Sequence, residues 1–300
     1  MALVRLKRSA RSLVTRLIAS SVSEVYACTQ GVEEMCSLTQ QTQVLLALRY
    51  KDLVHQGGPY PTFDEVGFRI FSQSNEDGIL LYIFSLIGTT NRKAVEICAG
   101  SGIECNTANL IINHNWRGLL FDGNDRLVRQ GQAFYVHHKD TFILPPKFVH
   151  AWITPENVDD LIAEHGFDDE IDLLSLDIDG QDYWVWQAME RCRPRVIVLE
   201  AQSFGAEASL SVPYDPAFVA HHMDDHYLGA TIAAFVKLGR VKGYRFVGFN
   251  RLQYNAFFIR DGIAENMLPE VPLSSCLDPA LEEMRRRAWE KAAKYEWVEV

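Results

Sequence analysis

The sequence predicts an α/β fold in which a doubly wound, mostly parallel sheet of seven strands ends with an antiparallel strand. From residue 71 onward, short apolar strand patterns alternate with helical patterns, which is typical of parallel sheets covered by helices on both faces. The last two strand patterns, "YRFVGFN" and "NAFFIRD", are separated only by "RLQY". Four residues cannot carry a parallel crossover, so these strands should form an antiparallel hairpin. The predicted architecture is therefore Rossmann-like.

The first half of this fold is expected to begin with a helix over "SNEDGILLYIFSLIG", whose apolar residues have helical spacing and which ends on Gly88. A short apolar strand, "KAVEICA", follows, and then a helix over "CNTANLIINHN". The second strand is "RGLLFDG", and "YVHHKD" is interpreted as a weak third strand. The segment "TPENVDDLIAEHG" predicts a helix with Thr154 as N-cap and Gly166 as its stop.

The second half continues the alternation. A fourth strand is expected over "IDLLSLDIDG", a helix over "QDYWVWQAME" and a fifth strand over "PRVIVLEAQ". The pattern of "LGATIAAFVKLGRVKG" is that of a long helix, which precedes the terminal hairpin. A charged helix, "DPALEEMRRRAWEKAAKYEW", closes the chain.

We expect residues 1–58 to form a helical extension and residues 59–300 to form the α/β domain, because "GGPYP" has the composition of a linker. Residues 1–20 carry five basic side chains, no acidic one and leucines at helical spacing, which predicts a basic amphipathic helix. Such a helix could pack on its own domain, pair subunits in a homo-oligomer, contact a membrane surface peripherally or act as a transit peptide.

Composition excludes several classes of partner. The formal net charge is −10, so the molecule as a whole should bind neither nucleic acid nor an anionic membrane. No apolar run has membrane-spanning length, so no transmembrane helix is expected. The six cysteines form no C-x-x-C pair, which favours reduced thiols in a cytoplasmic protein over a zinc site.

The turn after the first strand, "EICAGSG", is the first candidate site. Gly100, Ser101 and Gly102 follow the carboxyl end of that strand, where ligands bind in doubly wound sheets. Glycines there let a ligand approach the main chain. About twenty residues later the second strand ends in Asp122, which could accept hydrogen bonds from ribose hydroxyls or could simply be a turn residue. Together they favour an adenosine-containing cofactor. The spacing is not that of a dinucleotide site, because Cys105 stands where the third glycine would be.

Carboxylates follow the fourth and fifth strands. Asp177 and Asp179 are two residues apart, so both are expected to leave the same face of a strand, and Glu200 ends its neighbour. Grouped carboxylates repel one another unless a proton or a cation lies between them. Hard oxygen ligands suit Mg²⁺ or Mn²⁺, which could lower the pKa of a substrate hydroxyl. Alternatively, Asp179 caps the following helix.

Several of these segments resemble successive motifs of class I S-adenosylmethionine-dependent methyltransferases: "VEICAGSG", "LLFDG", "LLSLDIDGQDYW" and "RVIVLEAQ". The resemblance covers residues 71–262 and is closest to the FkbM-like branch and to metal-dependent macrolide-sugar O-methyltransferases. It implies a sheet whose seventh strand is antiparallel and a site in which Glu96, Gly100 and Gly102 border the methionine part while Asp122 holds the ribose.

The same resemblance extends to "FSQSNED", whose Gln73 and Asp77 would close over the cofactor. The chain departs from the pattern in two places. It reads "DIDG" where FkbM-like chains often read "DVEG", and Gln202 stands where relatives can carry asparagine. These departures leave the metal ligand set open.

Transfer of a methyl group to oxygen also requires a proton acceptor. His221 and His222, in "VAHHMDDHYLG", are candidate general bases, and Asp177 is the third predicted catalytic residue. The function that these residues predict is an S-adenosylmethionine-dependent O-methyltransferase acting on a hydroxylated small molecule, a sugar or a glycan-linked group. The alternative is a Rossmann-type module that binds a nucleoside without catalysis.

Overall fold

The computed structural model of the protein describes residues 39–204, 207–218 and 226–300. Tyr50–Val300 form one compact unit, and the residues before it are a separate unit, of which 39–49 are described. Helix α1 covers residues 39–56, as the helical pattern in this region predicts. The predicted basic helix over residues 1–20 lies outside the described residues, and the domain boundary at residue 58 stays a prediction.

The strands begin at the segment predicted for β1 and continue to the end of the chain. They are β1 (Lys93–Ile97), β2 (Arg117–Asp122), β3 (Lys147–His150), β4 (Asp169–Leu176), β5 (Cys192–Glu200), β6 (Leu210–Ser211), β7 (Tyr244–Phe249), β8 (Asn255–Arg260) and β9 (Val298–Glu299).

The helices after α1 lie before, between and after these strands. They are α2 (Phe63–Val66), α3 (Glu76–Ile87), α4 (Ala108–His114), α5 (Asp125–His137), α6 (Val158–Glu164), α7 (Asp182–Ala188), α8 (Ile232–Lys242), α9 (Leu273–Cys276) and α10 (Glu282–Ala292).

Seven strands form one sheet in the order β3-β2-β1-β4-β5-β8-β7. The pairs β3–β2, β2–β1, β1–β4 and β4–β5 are parallel, whereas β8 runs antiparallel to both β5 and β7. The predicted fold class, a Rossmann-like sheet whose last strand is antiparallel, is confirmed. A separate small sheet pairs β6 with β9.

The core consists of apolar side chains between the sheet and its helices. Central strands have almost fully buried side chains, as expected for a sheet covered on both faces. Trp186 of α7 is 1 % exposed and contacts the rings of Phe235, Tyr244 and Phe258, so it joins α7 to α8 and the hairpin. This tryptophan therefore belongs to the core, as aromatics in such a helix usually do.

The prediction for the third strand is wrong. The segment "YVHHKD" contributes its first three residues to the end of α5, and β3 is Lys147–His150. Helix α5 extends this far because its side chains are amphipathic over thirteen residues and its N-cap, Asn124, accepts a hydrogen bond from the backbone N–H of Arg126.

The predicted N-cap of α6 is also wrong. The cap is Asn157, and Thr154 lies one turn earlier, where its backbone N–H donates to Asn157 Oδ1 at 2.8 Å. Gly166, at φ +76°, follows the helix end as predicted. Within the described residues, no helix combines the length and apolar character needed to span a bilayer.

Candidate active site

The two glycines of the turn after β1 have different surroundings. Both have positive φ, +59° at Gly100 and +67° at Gly102. A Cβ at Gly102 would lie 2.6 Å from the ring of Phe148, so this glycine lets the turn pack on the sheet. A Cβ at Gly100 would meet nothing within 4 Å. Gly100 therefore presents bare main chain to open space, as a ligand-binding turn requires.

Asp122 ends β2 beside this turn. Its Oδ2 accepts a hydrogen bond from the backbone N–H of Gly100 at 2.8 Å, and its Oδ1 accepts one from Asn124 at 2.7 Å. The side chain is 6 % exposed. Each carboxylate oxygen has a second lone pair that these two hydrogen bonds do not use.

Glu96 lies beneath the turn. One carboxylate oxygen accepts from the backbone N–H of Asn106 at 2.9 Å and from Ser175, and the other accepts from both the N–H and the hydroxyl of Thr107. Glu96 is 5 % exposed. Its hydrogen bonds link the segment before α4 to β1 and β4. The contact with a methionine moiety that the resemblance implies for it stays a prediction. Ser101 turns its carbonyl toward Gly131 of α5, where a Cβ would come within 2.5 Å of that oxygen.

A cavity of about 200 Å³ lies beside Cys98, the first residue after β1. Its walls come from the segments that follow β1, β3 and β4, at the edge where ligands bind in doubly wound sheets. A loop after β6 closes the other side. The residues that define the cavity best are Cys98, Trp152, Ile178, Asp179, Tyr214 and Phe218.

The loop over this cavity is fixed by polar contacts. Tyr214 donates its hydroxyl hydrogen to Glu156 at 2.7 Å, and the backbone N–H of Asp215 donates to Gln181 at 3.2 Å. The ring of Phe218 lies so close to Gly180 that a Cβ there would approach it to 2.2 Å. Gly180 is therefore required for the loop to cover the cavity.

The predicted carboxylate cluster is present. Asp177, Asp179 and Glu200 each offer an oxygen, and these oxygens lie within 4.8 Å of one another. The strand register explains why Asp177 and Glu200 lie close together. Leu176 pairs with Leu199, and each acid is the residue that follows. The expectation that strand alternation brings Asp179 to the same face is wrong. Strand β4 ends at Leu176, and a turn in which Asp179 has φ +55° brings it to the cluster.

The carboxylates of the cluster repel one another because they are buried close together. Burial, together with the nearby charges of Asp182 and Asp179, raises the pKa of Asp177 to about 8. Burial and the charge of Asp177 likewise raise the pKa of Glu200, which shares a hydrogen bond with Asp177. The pair thus retains a proton where two isolated acids would be ionised, and a cation could replace that proton.

Asp182 builds the turn that carries Asp179. Its two carboxylate oxygens accept from the backbone N–H groups of Ile178 at 2.8 Å and Gly180 at 3.1 Å. The alternative that the sequence left open, in which Asp179 caps α7, is wrong. The cap position is Gln181, which makes no side-chain capping bond.

The segment before α3 places its two predicted residues differently. Gln73 is exposed, and its backbone carbonyl accepts from Arg69 at 3.3 Å. Asp77 is 1 % exposed, and its Oδ2 accepts from the backbone N–H groups of residues 70, 71 and 72. Asp77 therefore shapes this turn from inside. His221 and His222 lie outside the described residues.

Trp152, Tyr214 and Phe218 are cavity residues that sequence reasoning missed. Trp152 is the second residue after β3, and it is 59 % exposed. The correct third strand would have identified it, because residues after parallel strands line such sites. The other two lie in an irregular loop with no local signal for their position.

No protein-family model matches this chain, and no curated protein matches it. Solved structures give distant likenesses. The N-terminal domain of EvdMO1 with SAH bound has 14 % identity and a TM-score of 0.42, over 70 % of this chain and 93 % of that one. An O-methyltransferase family protein from Burkholderia thailandensis has 13 % identity and a TM-score of 0.39, over 58 % and 52 %. The CurJ carbon methyltransferase has 10 % identity and a TM-score of 0.40, over 61 % and 53 %. Likeness at this level carries no argument about the activity of this chain.

Proposed function

We propose that this protein is an S-adenosylmethionine-dependent methyltransferase that acts on a hydroxyl oxygen of a small molecule or a sugar. The observation that carries the proposal is the hydrogen bond between Asp122 and the backbone of Gly100. This hydrogen bond holds the Asp122 carboxylate, a group suited to ribose hydroxyls, beside the main chain of Gly100, which faces open space. The adjoining cavity, with Trp152 and Ile178 in its walls, offers flat apolar contact for a nucleobase.

The reaction requires a nucleophilic oxygen close to the methyl carbon. The oxygen attacks that carbon, the carbon–sulfur bond breaks, its electron pair stays on sulfur, and the hydroxyl proton passes to a base. Asp177 lies at the same edge of the sheet as Gly100 and can orient the hydroxyl or accept its proton. His221 and His222 remain predicted bases.

A divalent ion fits the carboxylate cluster. Asp177, Asp179 and Glu200 would hold it, because three oxygens already lie within 4.8 Å of one another and repel in its absence. When bound, Mg²⁺ or Mn²⁺ would supply positive charge that lowers the pKa of an acceptor hydroxyl. The chain's own contribution is the turn fixed by Asp182, which holds Asp179 beside the other two acids.

Calorimetric titration tests the proposal. Wild-type protein should bind S-adenosylhomocysteine and should not bind NAD. Asp122→Ala should weaken binding by roughly tenfold to a hundredfold, since it removes a hydrogen bond to a charged acceptor worth about 1.5–3 kcal/mol. The matched control is Asp125→Ala, which changes an exposed carboxylate three residues away that pairs with Arg129. Circular dichroism of both variants establishes that they fold.

The same titration with Mg²⁺ tests the ion. Asp179→Asn should abolish Mg²⁺ binding while leaving S-adenosylhomocysteine binding within a fewfold of wild type. Failure of the wild-type protein to bind S-adenosylhomocysteine would contradict the proposed function. Binding without methylation of any hydroxyl compound in a broad panel would favour the nucleoside-binding module instead.

A further inference from the structure

A second and larger cavity lies at the same edge of the sheet as the carboxylate cluster. Its volume is about 870 Å³, within the range of small-molecule sites. We call it the edge groove; its lining comes from segments 60–64, 247–253 and 267–279, of which residues 252, 270 and 272–274 do not line it. None of these residues lines the smaller cavity, whose walls come from the segments after β1, β3, β4 and β6, so the groove is separate from the candidate cofactor cavity.

Strand register fixes the distance between the two sites. Glu200 at the end of β5 pairs with Asn255 of β8, and the neighbouring residue of β8, Ala256, pairs with Phe249 at the end of β7. Adjacent strands lie about 4.8 Å apart, so Phe249 is roughly 10 Å from Glu200. The floor of the groove thus begins two strands away from the carboxylates.

The turn between β7 and β8 connects the sites. Asn250 and Gln253 line the groove, while the carbonyl of Tyr254 accepts a hydrogen bond from the backbone N–H of Ala201, directly after Glu200. Asn250 also donates to the buried Glu76 at 2.6 Å, which fastens the turn to the start of α3. The same turn therefore contacts both the groove and the end of the strand that carries Glu200.

Aromatic rings form one wall of the groove. Phe63 packs edge-on against Phe257, with 5.3 Å between ring centroids. It lies over Gly248, where a Cβ would come within 2.9 Å of the ring. Gly248 is therefore needed for Phe63 to occupy this position. Tyr60 lines the same side of the groove.

The charges in the groove select against anions. Among the described lining residues, Asp64 and Asp278 are acidic and Arg251 is basic. Carboxylates accept hydrogen bonds from hydroxyl groups, and aromatic faces pack against apolar C–H surfaces. A polyanion such as a nucleic acid or a polyphosphate would meet net repulsion from two acids and one base.

We infer that the edge groove binds the non-reacting part of the acceptor, and that this part is a neutral, extended, polyhydroxylated chain of the oligosaccharide class. The inference rests on the proposed function, because the chain would present its terminal hydroxyl to Asp177 and Glu200. Contacts remote from the reacting centre would then supply binding energy that positions the hydroxyl.

Hydrogen–deuterium exchange with a panel of neutral hexasaccharides and their monosaccharides tests the groove. At least one hexasaccharide should slow exchange in residues 60–64, 247–253 and 267–279, and its monosaccharide should not. Ser275→Trp should weaken this binding at least tenfold, because Ser275 is exposed and lines the groove. The matched control is Ser274→Trp, which adds the same ring to the same short helix outside the groove lining.

The outcomes separate this inference from the proposed function. Binding of S-adenosylhomocysteine without protection of the groove by any hexasaccharide overturns the inference and leaves the proposed function standing. Protection that Ser275→Trp and Ser274→Trp weaken equally also overturns it. Protection of the groove in a protein that fails to bind S-adenosylhomocysteine supports the groove assignment and contradicts the proposed methyl transfer.

Discussion

At the scale of single residues, Gly100 and Gly102 show why backbone conformation alone does not identify a binding position. Both have a left-handed backbone, but only Gly102 is crowded, because a Cβ added there would lie 2.6 Å from Phe148 and 3.0 Å from Leu120. Gly100 has free space in the same direction. One glycine is thus required by packing, and the other leaves room for a ligand.

Alanine at each position separates these requirements. Both variants incur backbone strain of about 1–2 kcal/mol. Gly102→Ala also crowds the core, so we expect a total loss of roughly 2–5 kcal/mol in the free energy of unfolding. Gly100→Ala should lose only the strain but should bind S-adenosylhomocysteine at least tenfold more weakly. Urea unfolding and calorimetry measure the two effects, and equal destabilisation by both substitutions would contradict the packing argument.

Asp77 gives a prediction about pH. Burial raises its pKa to about 6, against the opposing effect of three backbone N–H donors. Because the native state binds this proton more tightly than the unfolded state does, the stabilisation is present below about pH 4 and is lost as pH rises to about 6. Two pKa units correspond to about 3 kcal/mol.

Asp77→Asn removes the titration and preserves the shape. The free energy of unfolding of wild type minus that of Asp77→Asn should therefore fall by roughly 2–3 kcal/mol between pH 4 and pH 7. Urea denaturation at several pH values measures this difference. A difference that stays constant with pH would show that Asp77 keeps an ordinary pKa in the folded protein.

At the scale of elements, Asp172 and Arg195 join four segments at the opposite edge of the sheet. Asp172, on β4, is fully buried and accepts from the backbone N–H groups of residues 90, 91 and 92 before β1. Arg195, on β5, donates to Asp172 at 2.7 Å and to the carbonyls of Ile87 and Gly88 at the end of α3. The pair fixes where α3 ends and β1 begins.

Removal of either Asp172 or Arg195 should therefore lower the free energy of unfolding substantially. Arg195→Ala removes the cation that pairs with a buried carboxylate and the donor of two carbonyls, and we expect a loss of about 3–5 kcal/mol in the free energy of unfolding. Arg129→Ala, which breaks the exposed pair with Asp125, should lose less than about 1 kcal/mol. Chemical denaturation of both variants measures the contrast, and similar losses would contradict the role assigned to the buried pair.

At the scale of the whole molecule, the sheet was predictable because each central strand is apolar and bounded by a helix pattern. The hairpin was predictable because the four residues between its strands are too few for a parallel crossover, so the strands must be antiparallel. The third strand was not, because β3 is only four residues long and the end of α5 carries aromatic and β-branched residues that strands favour. That local ambiguity also concealed Trp152, which follows β3.

The candidate site was predictable to the extent that strand ends define it. Gly100, Asp122, Asp177 and Glu200 follow from where the strands stop and from parallel register. The approach of Asp179 depends on a left-handed turn that Asp182 holds, which strand alternation cannot reveal. The edge groove joins segments about two hundred residues apart in sequence, so only the folded chain shows it.

The place of β8 between β5 and β7 affects how the protein is made. Until a growing chain has passed Arg260, β5 has one edge without a partner, and its residues 196–199 are 0 % exposed once the sheet is complete. Unpaired apolar strand edges associate readily with other chains. Synthesis on the ribosome therefore includes an interval of aggregation risk. Release of the hairpin from the exit tunnel ends it, and chaperones that bind extended apolar segments would act during that interval.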